Sequence, residues 1–281
     1  TWQVALLDAV GLGDSMTHYP QAAVMSAGDA DPARQDSWLL ATPMHFAAGL
    51  NDLRAVLLDD GHDVTALERT ELTATLAPHL LAAGFDVRPA SSGPWLLRSR
   101  QTLEVATVTP TAAAVHGLGG LMPTGRDAAA LKRLMTELQM LLHEHPVNLA
   151  RARRGAPEIN AIWLHGAGAI RDVARRPLPE AFGEDAYLRG LYCLHDQALV
   201  GPATDADSVL ARLQANAVAV PDVSTLDELE AKWLTPLVRA LRAGALAKLS
   251  LVLDGWRLSI DRGALLKFWR GASSPTQWSA Q

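Results

Sequence analysis

Ile159-Asn-Ala-Ile-Trp-Leu-His-Gly-Ala-Gly168 reads as a buried strand, Ile159 to Leu164, that runs into a tight glycine turn at Gly166-Ala-Gly168. Side chains of a strand alternate between its faces, so Asn160 and Ile162 point one way and Trp163 the other. Upstream, Leu131, Leu134, Met135, Leu138, Leu141 and Leu142 recur at i, i+3, i+4, i+7 spacing, which predicts an amphipathic helix from about Asp127 to His145. Asp127 suits the positive end of that helix, and Pro146 terminates it.

Other segments extend the pattern. Trp2 to Leu7 reads as an opening strand followed by the glycine loop Gly11-Leu-Gly13. Residues 26–37 are rich in turn formers, so the chain re-enters the core at Trp38. Leu67, Leu72, Leu76, Leu80 and Leu81 predict a helix over 65–83, bent or split by Pro78 and capped by Gly84. Residues 94–98 and 102–108 read as a strand pair, and about 39–125 as an inserted α+β lobe of a single domain over 1–281. A strand at Ala217–Val220 precedes Thr225-Leu-Asp-Glu228, which carries a capping-box pattern and starts a helix with Pro236 inside it. Asp254-Gly255 marks a hairpin between 248–253 and 256–260. Alternating strands and helices predict an α/β layered fold, a mostly parallel sheet flanked by helices, with the terminal hairpin as its antiparallel extension.

Composition narrows the function classes. Among the 281 residues, 25 basic against 30 acidic give a net charge of -5, so there is no global cationic field for direct nucleic-acid binding or for an anionic membrane. No apolar run approaches the roughly 18 to 20 residues of a membrane span. The lone Cys193 excludes an intrachain disulfide and a thiolate zinc site, and a reducing compartment, the cytoplasm of a bacterium, is expected. The numbering opens at Thr1, which leaves room for a trimmed leader.

Three constellations bear on chemistry. Asp8, Asp14 and Ser15 flank the first glycine loop, where carboxylates and a hydroxyl suit metal-assisted phosphoryl transfer; a plain turn is the simpler reading. His143 and His145 lie two apart, about 200° around a helix, so they do not share a metal ion, and no metal site is expected; capping near the helix end is favoured. Arg151, Asn148, Asn160, Gly166 and Gly168 converge as candidate ligand-binding residues for a small anion, the alternative being a solvated arginine and a scaffold asparagine. No G-x-S-x-G elbow and no Walker loop occurs.

The stretches Leu141-Leu-His-Glu-His-Pro-Val-Asn148-Leu-Ala-Arg151 and Ile159 to Gly168 resemble the RpfE-type regulatory proteins of bacteria. That group is similar to cofactor-independent, archaeal-type phosphoglycerate mutases of the alkaline-phosphatase superfamily. Ala41-Thr-Pro43-Met-His45-Phe, Trp233-Leu-Thr-Pro236 and Phe268-Trp269-Arg270 extend the resemblance over about 38–271. It departs from the RpfE-type pattern at Thr42 and Phe46, where that pattern has Asp and Leu, and at His165, where it has an aromatic residue. The resemblance implies an alkaline-phosphatase-like fold in degenerate form. The mutases resemble two-metal phosphoryl-transfer enzymes that need histidine ligands late in the chain, whereas the last histidine of this sequence is His195. A non-catalytic regulatory protein without cofactor, working through an unidentified protein partner, is the expectation. A metal-dependent phosphatase or mutase built on Asp8, Asp14 and Ser15 is the alternative.

Overall fold

The computed structural model describes residues 2–13, 18–28, 36–49, 53–58, 62–88, 93–170, 173–253 and 256–265. Its elements are α1 (Trp2–Ala9), α2 (Gln21–Ala27), β1 (Ser37–Ala48), β2 (Leu53–Leu57), α3 (Ala66–Ala82), β3 (Asp86–Arg88), β4 (Trp95–Ser99) and α4 (Pro110–His116). Then come α5 (Ala128–Leu142), α6 (Pro146–Arg153), β5 (Ala161–Gly168), β6 (Glu180–Gly183), α7 (Ala186–Leu194), α8 (Ala206–Arg212) and β7 (Ala217–Val220). The chain closes with α9 (Leu226–Leu229), α10 (Thr235–Ala243), β8 (Lys248–Leu253), β9 (Trp256–Asp261) and α11 (Arg262–Leu265). Two compact units result: Thr17–Arg176 with Arg189–Asp196, and Thr1–Met16 with Pro177–Leu188 and Gln197–Gln281.

In the larger unit the twelve-residue β1 is the hub. It pairs antiparallel with β4 through Ser37↔Ser99 to Ala41↔Trp95, and with β2 through Met44↔Leu57 to Ala48↔Leu53. β5 joins it antiparallel as well, from Met44↔Ala161 to Trp38↔Gly168, and β3 pairs antiparallel with β4. The expected mostly parallel sheet is therefore wrong: every pairing in this five-stranded sheet is antiparallel. For β1 and β2 the physical reason lies in the connection. Residues 49–52 join β1 to β2, too few for the crossover of a dozen or more residues that parallel neighbours require. Strands within 39–125 share one sheet with β5.

Helices cover this sheet with the residues their periodicity marks. Leu131, Leu134, Met135, Leu138 and Leu142 of α5 are buried with Leu72, Leu76 and Leu80 of α3 in one cluster with Leu39, Met44, Leu97 and Trp163 of the strands. α3 continues through Pro78 as one helix, so of the expected bend or split the split does not occur, while Leu67 and Leu81 face solvent. Gly84, at φ +91, takes the left-handed position that ends it. Truncating a fully buried leucine costs about 2 to 5 kcal/mol, so Leu138→Ala is expected to lower the denaturation free energy by that amount. An unchanged chemical denaturation midpoint would show that α5 packs by another face.

The smaller unit overturns two further expectations. Trp2 to Leu7 is not a strand but part of α1, which buries Leu6 and Leu7 and sets Trp2 edge-on to Tyr187, 6.0 Å between ring centroids. A six-residue apolar run fits either period, and only its neighbours decide. β8 and β9 form the expected hairpin, but as a two-stranded sheet of their own; Asp254 and Gly255 lie outside the described residues. β6 and β7 make the one parallel strand pair among the described residues. In the larger unit, the expected strand at 102–108 reduces to a single bridge, Ala106↔Thr124. The helix from Thr225 opens into a π-turn, Glu230–Leu234, just before Pro236, whose missing N–H leaves no donor for the carbonyl four residues earlier. No helix among the described residues is long and apolar enough to cross a membrane.

Candidate functional site

α5 stops at Leu142, where His143 turns extended (φ -63, ψ 127), and Glu144, left-handed at φ +57, leads the chain into α6. His145 caps α6 rather than ending α5: its Nδ1 accepts from the Val147 N–H at 3.2 Å, and its Nε2 lies 2.9 Å from Thr75 Oγ1. Pro146 occupies the first turn, where its missing N–H costs nothing. One turn on, Asn148 is buried and bridges three backbone groups. Its Nδ2 donates to the carbonyls of Leu142 and Ile159, both at 2.9 Å, and its Oδ1 accepts from Ile159 N–H at 2.7 Å.

Arg151, on the same helix, is fully buried. Nε donates to Pro157 O at 2.7 Å, Nη2 to His62 O at 2.6 Å, and Nη1 to Glu68 Oε2 at 3.0 Å and Asp63 O at 3.4 Å. Glu68 also receives Arg154 Nη2 at 2.5 Å and completes a reciprocal capping box with Thr65. Burial alone would raise the Glu68 pKa. The Thr65 backbone N–H, the Arg154 hydrogen bond and the Arg151 charge outweigh it and hold the carboxyl below its ordinary value. The arginine therefore fastens the start of α3 and the segment before it to α6, its charge neutralised inside the protein.

Asn160 works in the same way at the start of β5. Its Oδ1 accepts from Phe46 N–H at 2.6 Å and its Nδ2 donates to Phe46 O at 3.0 Å, so the carboxamide stands in for a rung of the ladder beyond Ala161. Gly166 and Gly168 belong to β5 itself rather than to a separate turn. At φ +66 and +154 they take conformations other residues avoid, and a Cβ on Gly168 would stand 2.4 Å from Pro20 Cγ. The glycines make room for the entry into α2.

Just before Gly166 sits His165, buried, its Nε2 2.9 Å from Thr42 Oγ1 and its Nδ1 without a partner among the described residues. Thr42 and His165 thus touch each other, and Phe46 packs edge-on against Trp163, 6.3 Å between ring centroids. Burial pushes the His165 imidazole down to about 4. Its folded-state pKa lies below the unfolded value, so the unfolded chain binds the proton first. The stability from a neutral His165 is complete above pH 6.5 and declines as the pH falls toward 4. His195, lowered by burial and then by Arg176, acts in the same direction. We expect the His165 contribution to fall by about 2 kcal/mol by pH 5, and His165→Gln to flatten the denaturation free energy between pH 6.5 and 5. An identical pH slope in that variant would remove His165 as the cause.

Of the first-loop residues, Asp8 lies on α1 in the smaller unit and pairs with Arg257; Asp14 and Ser15 lie outside the described residues. Asn148, Arg151, Asn160 and the two glycines all fall in the larger unit. Sequence reading missed Glu68, although Thr65-x-x-Glu68 carries the capping-box signature that predicts a fixed carboxylate at that point. Among the described residues no group of three or more His, Cys, Asp or Glu is placed to hold a metal ion.

No protein-family model matches the chain, and no curated protein matches it. Solved structures with some likeness include the PH0037 protein of Pyrococcus horikoshii, at 15% identity and a TM-score of 0.46 over 73% of this chain and 48% of that one. A cofactor-independent phosphoglycerate mutase from Thermoplasma acidophilum shows 16% identity and a TM-score of 0.44 over 84% of this chain and 66% of that one. The chain therefore spans about half the length of the first and just under two thirds of the second.

Proposed function

We propose that this chain is a non-catalytic regulatory or interaction protein of the RpfE type, acting through a protein partner. The observation that carries this reading is the use of Asn148, Arg151 and Asn160. These are the polar positions of its mutase-like motifs, and their hydrogen-bonding groups are spent on the chain's own backbone and on Glu68. A guanidinium neutralised inside the fold is not free to receive a phosphoryl group without breaking those bonds. The net charge of -5 favours a protein partner over nucleic acid or an anionic membrane, and the lone cysteine suits the cytoplasm.

Turnover of 3-phosphoglycerate and of a chromogenic phosphomonoester in the presence of Mn, Mg or Zn tests the reading. No turnover above the metal-only control is expected. Metal-dependent turnover that disappears in Asp8→Asn would replace it with the phosphoryl-transfer alternative. Co-purification from the native host, followed by mass spectrometry, identifies the partner.

A further inference from the structure

We propose that Arg69 and Trp95 form a buried binding site for a compact carboxylate, separate from the Arg151 network. Arg69 follows Glu68 on α3 and lays its guanidinium over the indole of Trp95 on β4, 4.9 Å from guanidinium carbon to ring centroid. The platform is fixed. Trp95 is buried and its Nε1 donates to Thr73 Oγ1 at 2.8 Å, while Thr73 Oγ1 donates to the Arg69 carbonyl at 2.7 Å.

The charge on this platform is unanswered. Arg69 is only 8% exposed, and its Nε and Nη1, both buried, meet no hydrogen-bond acceptor among the described residues. The carboxylate next to it in sequence, Glu68, is held by Arg151 and Arg154. A guanidinium removed from water without a counter-charge is costly, and stacking on an indole offsets only part of that cost. Burial lowers its pKa from the ordinary arginine value, and among the described residues no ion pair is formed by its guanidinium. One uncompensated positive charge calls for one negative charge. A monoanion with paired acceptor oxygens fits the planar donor set, whereas a dianion would leave a net charge buried.

Thermal unfolding of the full chain in low-salt buffer, with sodium acetate or sodium sulfate added at equal ionic strength, tests the site. Acetate is expected to raise the wild-type Tm saturably, by about 5 °C at a hundredfold excess over its Kd, and sulfate to do no more than its general salt effect. Arg69→Met should abolish the acetate-specific rise. If that variant does not fold, Trp95→Phe, with a smaller platform, should at least halve it. Equal responses to the two anions, a linear acetate response without saturation, or an acetate-specific rise that survives Arg69→Met would each overturn the site.

Discussion

Arg151→Ala is expected to cost about 3 to 5 kcal/mol of folding stability, the range for removing one member of a buried ion pair. The substitution leaves the carbonyls of His62 and Pro157 without the donors that reach them at 2.6 and 2.7 Å, and takes one of two arginines from Glu68. Glu68 keeps Arg154 and the Thr65 bonds, so its carboxylate is not wholly stranded and the loss stays within that range. Arg151→Lys retains the charge without the fork and should recover less than half of the difference. Urea denaturation of the three proteins measures it, and a loss under about 1 kcal/mol would mean that the arginine is solvated in solution.

Gly190→Ala is expected to be as damaging, for a steric reason. Gly190 lies in α7 where that helix meets α2, and a Cβ there would stand 1.8 Å from the Val24 carbonyl oxygen and 2.7 Å from its carbon. Both atoms are backbone, so the helices must part. Alanine gains about 1 kcal/mol of helix propensity over glycine, whereas overpacking of this kind costs about 3 kcal/mol or more, and the steric effect wins. Gly28, at the end of α2, is the control: a Cβ there approaches Gly190 N at 3.3 Å, and Gly28→Ala should be several-fold milder. A higher Tm for Gly190→Ala, the outcome propensity alone dictates, would dismiss the close crossing.

What the sequence reveals follows from which forces act locally. The α5 stripe, the N-terminal signal at Thr225 and the Asp254-Gly255 hairpin depend on residues a few positions apart, and the structure has the helix starts and the paired strands where those signals lie. Strand direction depends on what a strand meets, and alternation of side chains is the same for parallel and antiparallel neighbours. The short connection from β1 to β2 carried the missing information. The polar site is legible by half. Asn148 and Asn160 stand out as polar residues beside apolar ones, whereas Arg151 sits in a basic run with Arg153 and Arg154; the partners of all three are mostly backbone carbonyls and amides, which every residue possesses and no sequence pattern marks. Glu68 lies 83 positions from Arg151, and only its own capping box signals it. Gly166 and Gly168 announce an unusual backbone without naming Pro20 as its cause.

The hub position of β1 sets an order of assembly. β2 and β4 are made within about fifty residues of β1, but the partner of its other edge, β5, ends at Gly168, 120 positions after Ala48. At a synthesis rate of about 5 to 20 residues per second, that edge waits roughly 6 to 24 s on the ribosome for its partner. An apolar strand left open that long is a template for pairing with other nascent chains, so yield during expression should depend on holdase chaperones and on slower initiation more than on the stability of the finished protein.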